Sequence, residues 1–200
     1  KLLAERAQGA DIGPSPDTSY HFVARANTRF PEHAQRRPLV IGFGPCGILA
    51  ALLLAQMGLR PIVLERGRDV RQRTRDTWAV WRERELDPES NVQFGEGGAG
   101  TFSDGKLYSQ IRDPRHHGRK VLTEFVKAGA PEEILYVAKP HIGTFRLVGM
   151  VEKMRAEIEA LGGEIRFRSR VTDLHIDAGR IRGVRLASGE QIDADHVVLA

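Results

Sequence analysis

The hydrophobic period changes along this chain, and each change predicts an element. Pro38-Leu39-Val40-Ile41-Gly42 is a continuous apolar run bounded by Pro and Gly, as in a strand covered on both faces. Pro45 opens an apolar helix to about Met57, and Gly58 ends it where a left-handed residue is wanted. Pro61-Ile62-Val63-Leu64-Glu65 reads as a second buried strand, completing a βαβ unit with a right-handed crossover. Val70 to about Leu86 predicts a charged helix with Trp78 and Trp81 on one face. A short helix over 118–128 stops at Gly129 and Pro131. Leu147, Val151, Met154, Ile158 and Leu161 mark one face of an amphipathic helix, ended by Gly162-Gly163 and followed by a strand over Glu164–Arg168. Val171–Ile176, Arg180–Leu186 and Gln191–Ile192, separated by Asp177-Ala178-Gly179 and Ser188-Gly189, have the pattern of a β-meander. His196–Ala200 predicts a last parallel strand.

Residues 1–36 carry little pattern. Leu2–Ala7 suits a turn or two of helix, Gly13–Asp17 is a breaker cluster, and Tyr20–Ala24 suits a short strand. This segment is expected to be a connector or the end of an upstream module, with the patterned domain over 37–200. The chain starts at Lys1 and stops inside a strand pattern, so a fragment of a longer protein is expected.

Composition narrows the class. Hydrophobic residues make up 41% and charged residues 28%, a globular balance. No run approaches the roughly 18 apolar residues of a membrane helix. With no secretion signal at the start, a cytoplasmic location is the default expectation. The single Cys46 excludes a disulfide or a redox-active cysteine pair within these residues. The net charge of +4 is modest, and the arginines of 60–84 alternate with acids as on a solvated helix. Neither suggests a nucleic-acid partner.

The chemistry lies in Val40-Ile41-Gly42-Phe43-Gly44-Pro45-Cys46-Gly47, a strand running through G-x-G-x-x-G into a helix. Gly42 permits the tight turn, Gly44 lets backbone approach a pyrophosphate, and Gly47 lets helix and sheet pack closely. The helix opened by Pro45 and Cys46 would aim its free amides at the phosphates. Glu65 ends the second strand near the roughly 20-residue spacing expected of the acid that takes the ribose hydroxyls. Its charge disfavours a 2′-phosphate, an effect that Arg66 partly offsets.

A nicotinamide dehydrogenase would continue with compact βα units. This chain instead inserts an arginine-rich helix and the loop Gly95-Glu96-Gly97-Gly98-Ala99-Gly100-Thr101-Phe102-Ser103-Asp104-Gly105. An extended FAD needs such a second loop, where Gly97 and Gly98 allow close approach and Thr101 and Ser103 offer hydroxyls. The α/β class expected is therefore a Rossmann-like FAD/NAD(P)-binding domain with a parallel sheet, crossover helices and a β-meander.

The G-x-G-x-x-G turn, the strand end Val63-Leu64-Glu65-Arg66-Gly67 and the loop Asn91–Leu107 together resemble the bacterial NAD(P)/FAD-dependent oxidoreductases. Within these the chain is most similar to the group called FAD-dependent dehydrogenases, and Lys127–Leu135 and Lys139–Thr144 share that likeness. The resemblance spans roughly residues 20 to 200. It implies a glutathione-reductase-like FAD domain. Gly42, Gly44 and Gly47 would meet the pyrophosphate and Glu65 the adenosine ribose. Gly97, Gly98 and Thr101 would run toward the flavin, and the backbone of Val171 would contact adenine. It further implies a turn just beyond Ala200 that completes the flavin contacts.

Other residues carry less. Cys46 reads as a small filler beside the phosphate turn, His116-His117 as an exposed loop and His141 as structural. Asp104 and Lys106 either stabilise the glycine loop or orient substrate. No acid–base residue stands out, because a flavin carries its own hydride chemistry. The expected whole protein is an FAD-dependent oxidoreductase acting on a small-molecule substrate, with NAD(P)H as a candidate electron partner. The fragment alone is expected to hold cofactor weakly and not to turn over. The alternatives are a regulatory or tRNA-modifying flavin module and an NAD-dependent dehydrogenase.

Overall fold

Four parallel strands, each only three residues long, form the central sheet of this computed structural model, which describes residues 15–32 and 35–200. In chain order the elements are β1 (Leu39–Ile41), α1 (Pro45–Gln56), β2 (Ile62–Leu64), α2 (Val70–Arg82), α3 (His117–Lys127), α4 (Thr144–Ala160) and β3 (Glu164–Arg166). An antiparallel meander follows, β4 (Val171–Asp177), β5 (Arg180–Leu186) and β6 (Gln191–Asp193), and β7 (Val197–Leu199) returns to the sheet. The sheet order is β3-β2-β1-β7, with Val40 in register with Val63 and Val198.

Alternation along these strands explains the layers. Val40 and Val63 face α1 and α4, packing with Ile48, Leu52, Val151 and Met154. Leu39, Ile62 and Leu64 face the other way, onto Val184, Leu186 and Ala194 of the meander. The middle of the sheet is thus covered on both faces, which is why β1 and β2 read as unbroken apolar runs, while the edge strand β3, Glu164-Ile165-Arg166, is polar and half-buried. Among the described residues no helix is long and apolar enough to cross a membrane.

The structure differs from the sequence-based expectations at several edges. α2 stops at Arg82, short of Leu86, which is exposed. Leu161 lies just past the end of α4. Tyr20–Ala24 is not a strand: the segment is an extended strap that lays Tyr20 and Phe22 over the Lys120 ammonium, and Ala26 N–H donates to Met57 O. It meets side chains of α3 and the end of α1, so no sheet edge is there to pair with. The helical turn expected at Leu2–Ala7 lies outside the described residues.

Strands this short cannot fix the loops at their ends, so buried side chains do. Glu96, fully buried, accepts from Val70 N–H at 2.7 Å with Oε2 and so caps α2 together with Asp69. Its Oε1 has no hydrogen-bond partner and lies 3.4 Å from Arg155 Nε. Burial pushes the Glu96 carboxyl up to about 7, against the pull of the Val70 amide and Arg155. At Gly67 the chain passes so close to the glycine loop that a Cβ would stand 2.5 Å from Gly95 Cα.

Gly67→Ala should destabilise the fold by roughly 1–3 kcal/mol through overpacking against backbone. Gly149→Ala, in the interior of α4 with nothing within 4 Å of the new methyl, should stabilise it by roughly 0.5–1 kcal/mol. Denaturant melts of the pair would read opposite signs, and equal signs would refute the packing account. Because the folded pKa of Glu96 is raised, the folded state holds a proton that the unfolded chain releases. Its contribution to stability therefore declines as pH rises from the unfolded value near 4.5 to about 7, and is flat above. Glu96→Gln, which keeps an acceptor for Val70, should flatten the melting temperature across that window. An unchanged slope would place the titration elsewhere.

Candidate functional site

The carboxyl ends of β1 and β2 open into a cleft, as expected at the end of a parallel sheet. Gly42, with φ +95°, turns the chain out of β1 while its N–H donates to Leu64 O. A Cβ at Gly47 would lie 2.0 Å from Gly42 O, so only glycine lets α1 start this close to the turn. The first turn of α1 has neither a side-chain cap nor an acidic residue, which leaves its amides and its positive end open.

Glu65 is buried, and its carboxylate binds three segments at once. Oε2 accepts from Phe43 N–H at 2.7 Å, and Oε1 accepts from Gly67 and Gly95 N–H at 2.8 and 3.0 Å. The acid expected to stand open for ribose hydroxyls is therefore largely committed to backbone. A carboxylate has about four lone-pair sites, so one remains, on Oε2.

The glycine loop lies across the cleft from α1. Gly97 N–H donates to Phe43 O at 2.8 Å, and a Cβ on Gly98 would come 3.1 Å from Gly44 Cα and from Pro45 Cδ. The two glycine turns are thus in backbone contact. The resulting cavity, about 610 Å³, is lined by Gly42, Gly44, Glu65, Arg66, Gly98 and Val171 among others. Its far wall is an arginine–aromatic stack: Arg66 lies 3.8 Å over the Phe94 ring and donates to Glu89 at 2.7 Å, while Arg170 approaches Glu89 at 3.3 Å. The Arg66 bond holds the Glu89 carboxyl below its usual range.

Of the sequence-predicted site residues, Gly42, Gly44, Glu65, Arg66, Gly98 and Val171 come together around this cleft. Pro45, Gly97 and Thr101 instead line a neighbouring apolar cavity of about 260 Å³ with Ile48, Leu147, Met150 and Met154. Two of these residues, Thr101 and Cys46, lie outside the larger cleft. The Thr101 hydroxyl turns inward, donating to Glu96 O and accepting from Arg73, and Ser103 Oγ bonds Gly100 O, so these hydroxyls are spent on the loop's own backbone. Cys46 is exposed and its side chain lines neither cavity, because the second position of α1 points away from the sheet.

Asp104 and Lys106 pair with each other at 2.9 Å, both exposed, as the loop-stabilising alternative expects. His116 precedes α3 with φ +55°, and His141 forms a lone β-bridge with Lys106. No group of three metal-ligating side chains exists among the described residues. Residues not anticipated from sequence are Phe94, Glu89, Arg170 and, behind the loop, Arg73. Gly67 and Phe94 lie within the stretches Val63–Gly67 and Asn91–Leu107 that carry the resemblance, where nothing singled them out from their neighbours.

Comparison with known proteins is consistent with this geometry. A 48% identical relative, an uncharacterised protein of Clostridium beijerinckii, matches 100% of this chain, which spans only 36% of that protein. Similar folds occur in L-proline dehydrogenase from P. horikoshii, with TM-score 0.54, 16% identity, and 83% of this chain matched to 52% of that one. Another is glycine oxidase from Bacillus cereus, with TM-score 0.52, 14% identity, and 82% matched to 56%. At these identities the likeness concerns the fold alone, a Rossmann-type dinucleotide-binding domain. The family profile described as flavin containing amine oxidoreductase matches residues 71–200, well over half of the sequence, and the chain belongs to that FAD-dependent oxidoreductase family.

Proposed function

We propose that this chain binds FAD in an extended form and that the whole protein is an FAD-dependent dehydrogenase. It would pass a hydride between a small-molecule substrate and the flavin. The observation that carries the proposal is the contact between two glycine turns, Gly44 and Gly98, above the uncapped start of α1 and beside Glu65. A side chain at Gly98, whose Cβ would stand 3.1 Å from Gly44 Cα, would push the two turns apart.

Each residue has a role in this arrangement. The α1 amides and the backbone at Gly98 hold the diphosphate, and the remaining lone pair of Glu65 accepts from a ribose hydroxyl. Arg66, stacked on Phe94, and the backbone of Val171 would wall the adenine, all three lining the same cavity. Gly97 to Lys106 line the path toward the flavin, whose neighbour is the apolar cavity walled by Met150 and Met154. Bound FAD supplies the hydride chemistry; the protein supplies position and charge. A 2′-phosphate would be disfavoured here, since it would meet the Glu65 carboxyl at the ribose and Arg66, already paired with Glu89, offers it little.

A regulatory or tRNA-modifying flavin module gains support from a groove of about 690 Å³ that carries Trp78, Trp81, Phe145, Arg71 and Arg75. Against it, Arg71 is tied by two bonds to Glu152, which leaves little of a cationic track.

The visible spectrum of the purified full-length protein, with chromatography of the ligand released on denaturation, tests the cofactor. FAD is expected. NAD without a flavin band would make the protein a nicotinamide dehydrogenase, and an empty protein that takes up no added FAD would remove the assignment. Bleaching of the flavin band by NADH or NADPH would identify the electron partner. Glu65→Ala should weaken FAD retention by at least about tenfold, because several charge-assisted bonds that shape the cleft are lost together. Wild-type retention in that variant would refute the role given to Glu65. Filter binding of a tRNA probe, unchanged from background, is the result expected if the dehydrogenase reading holds.

A further inference from the structure

Arg73 is a fully buried arginine whose hydrogen bonds all go to neutral oxygens. Nε donates to Asn91 O and Nη2 to Val92 O, each at 2.7 Å. Nη1 is shared between Glu96 O at 2.7 Å and Gly98 O at 2.8 Å, with Thr101 Oγ1 at 3.4 Å. The Phe102 ring covers the guanidinium at 4.7 Å. Burying a cation is costly, and a staple for a loop could have been built from neutral groups.

The bonds have a geometric consequence. In a trans peptide the N–H points opposite to the C=O. With Glu96 O drawn to Arg73, the next amide, Gly97 N–H, is turned the other way and reaches Phe43 O at 2.8 Å. With Gly98 O drawn to Arg73, the Ala99 N–H is likewise aimed away from the guanidinium. Gly97 and Gly98 meet these demands with φ of +85° and +57°. The loop is held against Gly44 from behind, and the charge that holds it lies on the far side of that same backbone from α1.

Burial lowers the Arg73 pKa to about 10, opposed by the charges of Glu65 and Glu96, so the group remains a cation at neutral pH. We propose that Arg73 is the positioning residue of the dinucleotide site, fixing the glycine loop against Gly44 and placing a buried positive charge behind the diphosphate. This rests on the FAD assignment above. It goes beyond it in giving the diphosphate a charged partner that does not touch it.

The test compares ADP with adenosine, which differ in the diphosphate, as ligands of the full-length protein freed of nucleotide, by calorimetry. Arg73→Gln removes the charge and Arg73→Lys keeps it while losing the fork. Wild type should bind ADP more tightly than adenosine. In Arg73→Gln, ADP affinity should fall by about tenfold or more with adenosine within about twofold, and Arg73→Lys should keep the ADP preference within about threefold. A folded Arg73→Gln in which both ligands weaken in parallel, or neither does, would reduce Arg73 to a loop staple and overturn the proposal. If only Arg73→Lys folds, a lost ADP preference in it overturns the proposal and a kept one supports it. If neither variant folds, Arg73 serves stability alone and the proposal fails. Wild-type protein indifferent to ADP would instead sink the FAD assignment itself, a result no Arg73 variant can mimic.

Discussion

One carboxylate holds the mouth of this fold together. Glu65 follows β2 directly, and its oxygens gather backbone amides from the β1–α1 turn, from its own turn at Gly67 and from the glycine loop at Gly95. These are the walls of the cleft. A buried carboxylate is tolerated only when donors replace its lost water, and here the donors are the segments it must organise. The usual view of an acid at this position is that of a ligand group. In this chain it serves as a structural junction, with one lone pair on Oε2 left over.

The need for such junctions follows from the sheet. Each parallel strand contributes only three residues of ladder, so the loops at their ends receive little from the backbone pairing. Buried polar side chains make up the difference. Glu96 ties the glycine loop to the start of α2, and Arg73, in the first turn of the same helix, ties it there a second time. Arg155 reaches Glu96 from α4. Positive and negative groups alternate through this buried layer, so no charge stands far from an opposite one even where no direct pair forms. Removing one member exposes the burial cost of the others, which makes the layer a coupled unit.

What could be read from the sequence was whatever leaves a local trace. The βαβ unit, the G-x-G-x-x-G turn, the meander and the glycine loop announce themselves by period and by glycine spacing, and the structure has all of them. Arg73 left no trace. It occupies the inward face of α2 with Val70 and Thr77, while Arg71 and Arg75 on the same helix are exposed. A polar residue at an inward position looks, in a linear pattern, like one more solvated arginine. Its partners lie 18 to 28 residues away, in a loop with no period of its own. Thr101 shows the converse: a hydroxyl in a glycine loop suggests a ligand contact, and here its hydrogen bonds go to Glu96 O and Arg73.

That last point bears on what the loop can recognise. With the Thr101 and Ser103 hydroxyls and the carbonyls of Glu96 and Gly98 already engaged from inside, the surface presented to the cleft at Gly98 is bare backbone. Bare backbone backed by positive charge suits a diphosphate, whose oxygens need donors and charge but no particular side chain. It cannot distinguish one substrate from another. On the FAD reading proposed above, substrate choice would fall to groups beyond this loop, and the region around Gly44, Glu65 and Gly98 would keep the same task whatever the substrate.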